Sequence, residues 1–292
     1  MYRFIAHALG LTLIASALNC NYLQTKDSDN NQTMALLALA MMSGSSSQTI
    51  PLSLVSSSSQ VRCGGTFSIG ATSNIQPQDL RFFISDVSMI LPGGQKVAVN
   101  LATDGVWQYD NAALLDFEDA TGTCAGGVRT SQTNTSIRLA STPSATYQGI
   151  EFTLGLPQRL NQVNNATAPS PLNVSGMYWA WASGYKFTRI EFVSGGTHQT
   201  HIGGSGTCTS PAACTKPMAA TITVQPSGGF NPATQTLALD LNQMYSGGYT
   251  AGTGVMCMPG SGTGACDAMI ANIGLNATTG ASTGSQIAFS VK

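Results

Sequence analysis

Charge is scarce in this 292-residue chain: Asp, Glu, Lys and Arg make up 9% of it, against about 25% in an average soluble protein. The formal net charge is −1, so nothing in the balance recommends a nucleic acid or a strongly acidic partner. Histidine is scarcer still. Of the three in the chain, only His198 and His201 lie beyond the N-terminal leader. Hydrolytic chemistry needs a nucleophile with a base, and there is no HExxH; the segment HQTHIGG lacks the glutamate of a zinc protease. No phosphate loop or dinucleotide fingerprint occurs, and no block suggests a sugar cleft flanked by paired carboxylates. No C-x2-C pair supports structural zinc. Helical periodicity is confined to two short segments, LNQMYSG and CDAMIANIG. These absences point to a protein that binds or builds rather than one that catalyses.

The N-terminus reads as an export signal. Arg3 supplies a small positive region, and residues 4–18 are mostly apolar but shorter than the roughly 20 residues that span a bilayer. The stretch ends Ser16-Ala17-Leu18-Asn19-Cys20, a relaxed lipobox with Asn19 where a small residue is usual. The expectation is a signal peptide over residues 1–19 and lipidation of Cys20, tethering the mature protein to a bacterial membrane on its periplasmic side or at the cell surface. The alternative is an ordinary secretory peptide cut elsewhere. Residues 20–49 then form the anchor and a flexible tether, in which KDSDNNQ is polar and MALLALAMM is too short to cross a membrane. The Ser-rich runs SGSSSQ and SSSSQ read as linker. The domain follows, over residues 50–292.

Seven cysteines less Cys20 leave six: Cys63, Cys124, Cys208, Cys214, Cys257 and Cys266. An even number in an exported chain reads as three disulfides. Short loops favour Cys208–Cys214 and Cys257–Cys266, which leaves Cys63–Cys124 as the long-range bridge.

Period-two patterns dominate the domain. DLRFFISDVSMI alternates, turns at LPGGQK and returns as VAVNL, a β-hairpin. TSIRLAS with YQGIEFTLG, and GMYWAWAS with YKFTRIEFVSG, read as further strand pairs. ATITVQP, QTLALDL and SQIAFSVK complete the set. Many short strands with Gly/Pro turns predict a single all-β domain, a sandwich or barrel held by disulfides.

Chemistry-bearing residues concentrate between residues 176 and 214. Trp179 and Trp181, two of three tryptophans, are spaced to share one strand face with Met177, as a core or as a site. Trp107 sits in a less specific turn. His198 and His201 stand on the next segment, where their rings either converge or do not. Imidazole suits copper, and the thioethers of Met256 and Met258, flanking Cys257, are soft donors that favour Cu(I). The DFED run at 116–119 reads as a weak Ca2+ site or as a solvated turn capping its own backbone. Lys186 and Arg189 are placed to pair with Glu191 or Glu151 across strands, or to present a positive edge to a redox partner.

The blocks QVRCGGTFSIG, ALLDFEDATGTCAGG, YQGIEFTLGLPQRLN, the W-x-x-GYKF-x-R strand, HIGGSGTC and VMCMPGSGTGACDAMIANIGL keep a shared order that resembles the MbnP-like family, the four-Cys proteins of metallo-mystery pairs. The resemblance implies copper binding through His201, with His198 and Met258 as further ligand candidates. It implies a partner, a dihaem MbnH/MauG-like peroxidase that oxidises one tryptophan to kynurenine, with Trp179 and Trp181 as the candidates. Kynurenine carries an aniline nitrogen and a carbonyl oxygen that indole lacks. One departure stands out: many relatives place a histidine where this chain has Ser85, which implies fewer nitrogen donors or a scaffold without metal. The two readings are thus an envelope-anchored copper-binding lipoprotein and a structural or adhesive surface lipoprotein.

Overall fold

The computed structural model of the chain describes residues 46–124, 132–142, 145–180, 183–204, 214–258 and 264–292. The signal segment, Cys20, Trp181 and Cys208 lie outside the described residues. The strands run β1 Ser46–Ser56, β2 Ser59–Gln60, β3 Phe67–Ile69, β4 Thr72–Ile90, β5 Lys96–Ala98 and β6 Gln108–Tyr109. They continue with β7 Ala112–Asp116, β8 Ser136–Thr142, β9 Gly149–Leu154, β10 Tyr178–Ala180, β11 Gly184–Tyr185 and β12 Thr188–Val193. The last are β13 Thr197–Ile202, β14 Ala220–Val224, β15 Leu237–Asp240, β16 Val255–Cys257 and β17 Phe289–Val291. Helices are short, as expected: α1 Gln158–Asn161, α2 Leu241–Met244 and α3 Gly264–Asn272, the last two in the segments that carried helical periodicity. None among the described residues is long and apolar enough to cross a membrane.

Two sheets pack together as a sandwich. The larger runs β14-β9-β4-β12-β13-β16, with β3, β5 and β7 also on β4 and β6 on β7. The smaller runs β17-β15-β1-β2, with β8 on β1. β4 organises the large sheet because its 19 residues are long enough to pair with β12 along one half and β9 along the other. The expected hairpin is present, with Met89 opposite Val97 and Ile90 opposite Lys96.

Side-chain parity on β4 creates two cores. Leu80, Phe82 and Ile84 face the small sheet, where Phe289 meets Phe82 and Phe152 edge-on at 6.2 and 5.3 Å. Asp79, Arg81, Phe83 and Ser85 face the other way. There the segment 156–187 folds over the sheet and packs Leu156, Leu160, Leu172, Met177, Tyr185 and Phe187 on Phe83 and Leu114. Hydrogen bonds hold this cover down: the Tyr185 hydroxyl donates to the Leu172 carbonyl at 2.7 Å and the Phe83 amide to the Phe187 carbonyl at 2.8 Å.

Disulfides Cys63–Cys124 and Cys257–Cys266 form as expected. Cys214 is disulfide-bonded too, its partner lying outside the described residues.

Several expectations are corrected. β8 pairs with β1, not with β9, which lies between β4 and β14. Both segments had the right period, but pairing is decided by which edges are open, and β4 and β14 occupy both edges of β9. The Ser-rich stretch at 56–60 is no linker: Ser56 pairs with Ser59 and Val55 with Gln60, through Ser57 at a φ of 59°. β1 also begins at Ser46, inside the stretch assigned to the tether.

Candidate functional site

The strands that turn Asp79 and Arg81 away from the small sheet carry matching charges beside them. Arg81 stands opposite Asp116 on β7 and opposite Arg189 on β12, and Arg189 stands opposite His201 on β13. One row further on, Asp79 stands opposite Glu191 and Glu191 opposite Gln199. The result is a layer in which like charges stand opposite one another along the register between β4 and β12 and opposite charges pair diagonally, across four strands and nearly all sealed from water.

Within that layer Arg81, wholly buried, binds Asp79 through Nε and Nη2 at 2.8 and 2.5 Å and lies 3.9 Å from Glu118. Burial alone would lower the affinity of Arg81 for its proton, but the Asp79 hydrogen bond and the charges of Asp79, Asp116 and Glu118 raise it. Arg189 Nε is shared between Asp79 at 3.0 Å and Glu191 at 2.8 Å, and its Nη1 donates to the Gly176 carbonyl at 2.9 Å. Lys186 is buried as well and donates to the Gly176 and Tyr178 carbonyls at 3.0 and 3.4 Å. Desolvation first, then the neighbouring Arg189, pulls its pKa down to about 8.

His201 closes the row. Its Nε2 lies 2.7 Å from Glu191 Oε1. Burial opposes ionisation of Glu191, yet the hydrogen bonds from His201 and Arg189 outweigh it and hold the carboxyl at about 2. Glu191 is therefore an acceptor and His201 Nε2 donates to it, which leaves Nδ1 as the ring nitrogen that Glu191 does not engage. That is the arrangement of a metal-binding histidine, in which a carboxylate fixes the tautomer from behind.

The other expected residues divide. Trp179 lies half-buried on the three-residue β10, and its ring sits against Gly203, two residues beyond His201, where an added Cβ would fall 2.9 Å from Trp179 Cζ3. Lys186 Nζ stands 5.7 Å from the same ring. The parallel register ends with Thr200 opposite Cys257, and Met258 follows as the next residue past the end of β16. His198 does not converge with these. Three residues from His201 on an unbroken strand, it projects to the opposite face, stacked on Phe192 at 4.5 Å and edge-on to Tyr245 and Tyr249 at 5.2 and 5.8 Å. Neither ring nitrogen finds a hydrogen-bond partner there, and desolvation lowers its pKa to about 4.

Met177 is not on the strand with Trp179: it closes a 3-10 turn and is buried in the apolar cluster. Trp107 packs at the edge of that cluster. DFED is neither a solvated turn nor an open acidic loop, since Asp116 and Glu118 are fully buried beside Arg81; Asp116 accepts from the Glu118 amide and Asp119 caps a turn, accepting from Thr121. Lys186 and Arg189 form no exposed positive edge. Glu151, the alternative partner, pairs with Lys96 at 2.6 Å instead. Ser85 is buried and donates to the Gly155 carbonyl at 2.9 Å. A groove of about 380 Å3 near Tyr147, Phe230 and Gln235 is lined by none of these residues and by no charged side chain.

Sequence reading missed the layer itself. Its signal was there: D-x-R at 79–81 and R-x-E at 189–191 place charges two apart, on one face, inside apolar strands of a chain poor in charge.

Residues 45–259 match the MbnP family. The chain belongs to the MbnP family. MbnP from Methylosinus trichosporium has the same fold, with a TM-score of 0.72 and 25% identity over 85% of this chain and 98% of that protein. No curated protein matches the chain. Among the described residues no group of three or more His, Cys, Asp or Glu side chains is placed to hold a metal ion. A metal here would need thioether or modified aromatic donors beside His201.

Proposed function

We propose that this protein, a member of the MbnP family associated with a methanobactin system, is an envelope-anchored copper-binding lipoprotein rather than an enzyme. In this reading Cys20 carries the lipid, and a dihaem MbnH-type partner oxidises one tryptophan of the Trp179 and Trp181 segment to kynurenine. The observation that carries the reading is the Glu191–His201 hydrogen bond, which commits Nε2 and leaves Nδ1 as the ring nitrogen through which the imidazole would bind a metal. In this reading Met258, the residue that follows the strand paired with β13, would add a soft donor, and a kynurenine at Trp179 would add the nitrogen and oxygen that indole lacks. The set fits a soft ion such as Cu(I) and does not fit Zn2+, which prefers three or four Cys, His or carboxylate ligands. His198 has no part in it.

The test is intact mass and metal analysis of protein taken from its own cells. The expected result is one copper per chain and a peptide containing Trp179 or Trp181 that has lost one carbon and gained one oxygen. His201→Ala should lower copper affinity about 100-fold, the scale of losing one well-oriented donor, while the three disulfides still form. Unmodified tryptophan with no copper would sink the proposal. The competing reading, a metal-free structural or adhesive lipoprotein, draws on the lack of a three-ligand cluster among the described residues.

A further inference from the structure

Resting on the copper reading, a second residue acquires a role from its place in the large sheet. β16 is the last strand beyond β13, with no further strand on its outer edge among the described residues. Its parallel register sets Met256 opposite Gln199, on the face that also bears His201. Cys257 points to the other face, is 1% exposed and is locked to Cys266. Met256, by contrast, is 48% exposed. The other large apolar side chains exposed among the described residues, Val106 and Ile287, belong to neither β13 nor β16 and carry no donor atom. Met258 follows two residues on, just past the end of β16, and is less exposed than Met256. Behind them lies a largely buried layer with four carboxylates (Asp79, Asp116, Glu118, Glu191) and three basic side chains (Arg81, Lys186, Arg189), a background that favours an arriving cation.

We propose that Met256 is the solvent-side transfer ligand through which Cu(I) passes to and from the His201 site. A thioether binds Cu(I) in preference to harder ions, is uncharged and sits on a long flexible stem, so it can hand the ion inward without holding it. The step is a ligand exchange: a thioether–copper bond forms as the donor chelator leaves, then breaks as the His201 ligand set closes. Copper stays Cu(I) throughout, and no electron moves.

The test uses full-length mature protein carrying 13C-methyl methionine, titrated without oxygen with Ag(I), a redox-inert stand-in, and with Cu(I) presented as its bathocuproine disulfonate complex. The Met256 methyl resonance, assigned by its loss in Met256→Leu, should shift at sub-stoichiometric metal. Met256→Leu, a volume-conserving swap, should exchange Cu(I) with the chelator about tenfold more slowly in both directions, leaving the equilibrium constant unchanged. If the protein takes up Cu(I) while the Met256 methyl stays silent and Met256→Leu exchanges at the wild-type rate, this inference fails and the copper reading stands. If wild-type protein takes up neither ion, both fail.

Discussion

His198 and His201 stand three residues apart on one strand, yet they occupy opposite chemical worlds. His198 enters an aromatic box of Phe192, Tyr245 and Tyr249, with no partner for either nitrogen. His201 meets a carboxylate in a layer of paired charges. Strand parity alone sends the two rings apart, and what each ring then becomes depends on the covers of the two faces. The small sheet and α2 press aromatic surface against one, while segment 156–187 seals charge into the other. Burial has been solved twice in one sheet, once by excluding polarity and once by pairing it. The second solution is fragile to any change that removes one partner of a pair.

Removing a charge from the ionic face should therefore have the largest effect. Arg81→Met keeps the volume but leaves Asp79, Asp116 and Glu118 facing one another in a dry layer. The expected loss is about 3–5 kcal/mol, read as a lower urea midpoint at an unchanged slope. A variant as stable as wild type would show that the carboxylates find water, and the contrast between faces would collapse.

The aromatic face is tested by pH. The His198 pKa falls from 6.5 unfolded to about 4 folded, so between those values the unfolded chain binds the proton and the folded one does not. Stability should be complete above 6.5 and fall as pH drops toward 4, by roughly 3 kcal/mol in all. Glu191, lowered from 4.5 to about 2, continues the loss in the same sense below 4.5. His198→Phe should abolish the upper part, so that acid destabilisation starts only near pH 4.5. Denaturation curves at pH 7, 5.5 and 4.5 check this; identical slopes for variant and wild type would mean that His198 reaches water.

A smaller effect is expected where the two cover elements touch. An added Cβ at Gly203 would fall 2.1 Å from the Tyr185 carbonyl oxygen and 2.9 Å from the Trp179 ring. Gly203→Ala should cost about 1–3 kcal/mol and shift Trp179 fluorescence, leaving the His198 transition untouched. A response at His198 would show that the faces are coupled.

Least of all should follow from Lys96→Ala, which breaks an ion pair whose lysine is 51% exposed. The expected change is below about 1 kcal/mol, and a larger one would mean that burial does not set the value of these pairs.

Much of the scaffold was legible from local signals. The hairpin from β4 to β5 announced itself by period two and Pro-Gly-Gly, and α2 and α3 lay where the short helical patterns fell. Cys257–Cys266 followed from a short loop, and Cys63–Cys124 from what remained. The DFED run was misread because acidic residues ahead of a Gly-rich turn look solvated, and nothing local says that Arg81, far away in sequence, comes to face them.

What the sequence by itself determined was parity, chemistry and order: which residues alternate along each strand, which side chains hold donor atoms, and the succession of blocks that marks the MbnP family. Tertiary structure decided which face each parity class would meet. Register between β4, β7, β12 and β13 aligned charges that lie as much as 120 residues apart (Arg81 to His201) into one row. It also split two nearby histidines between an aromatic box and an ionic layer. The reason is that a strand fixes only the alternation of its own side chains, while the partner of each face is chosen by long-range pairing and by what folds over it.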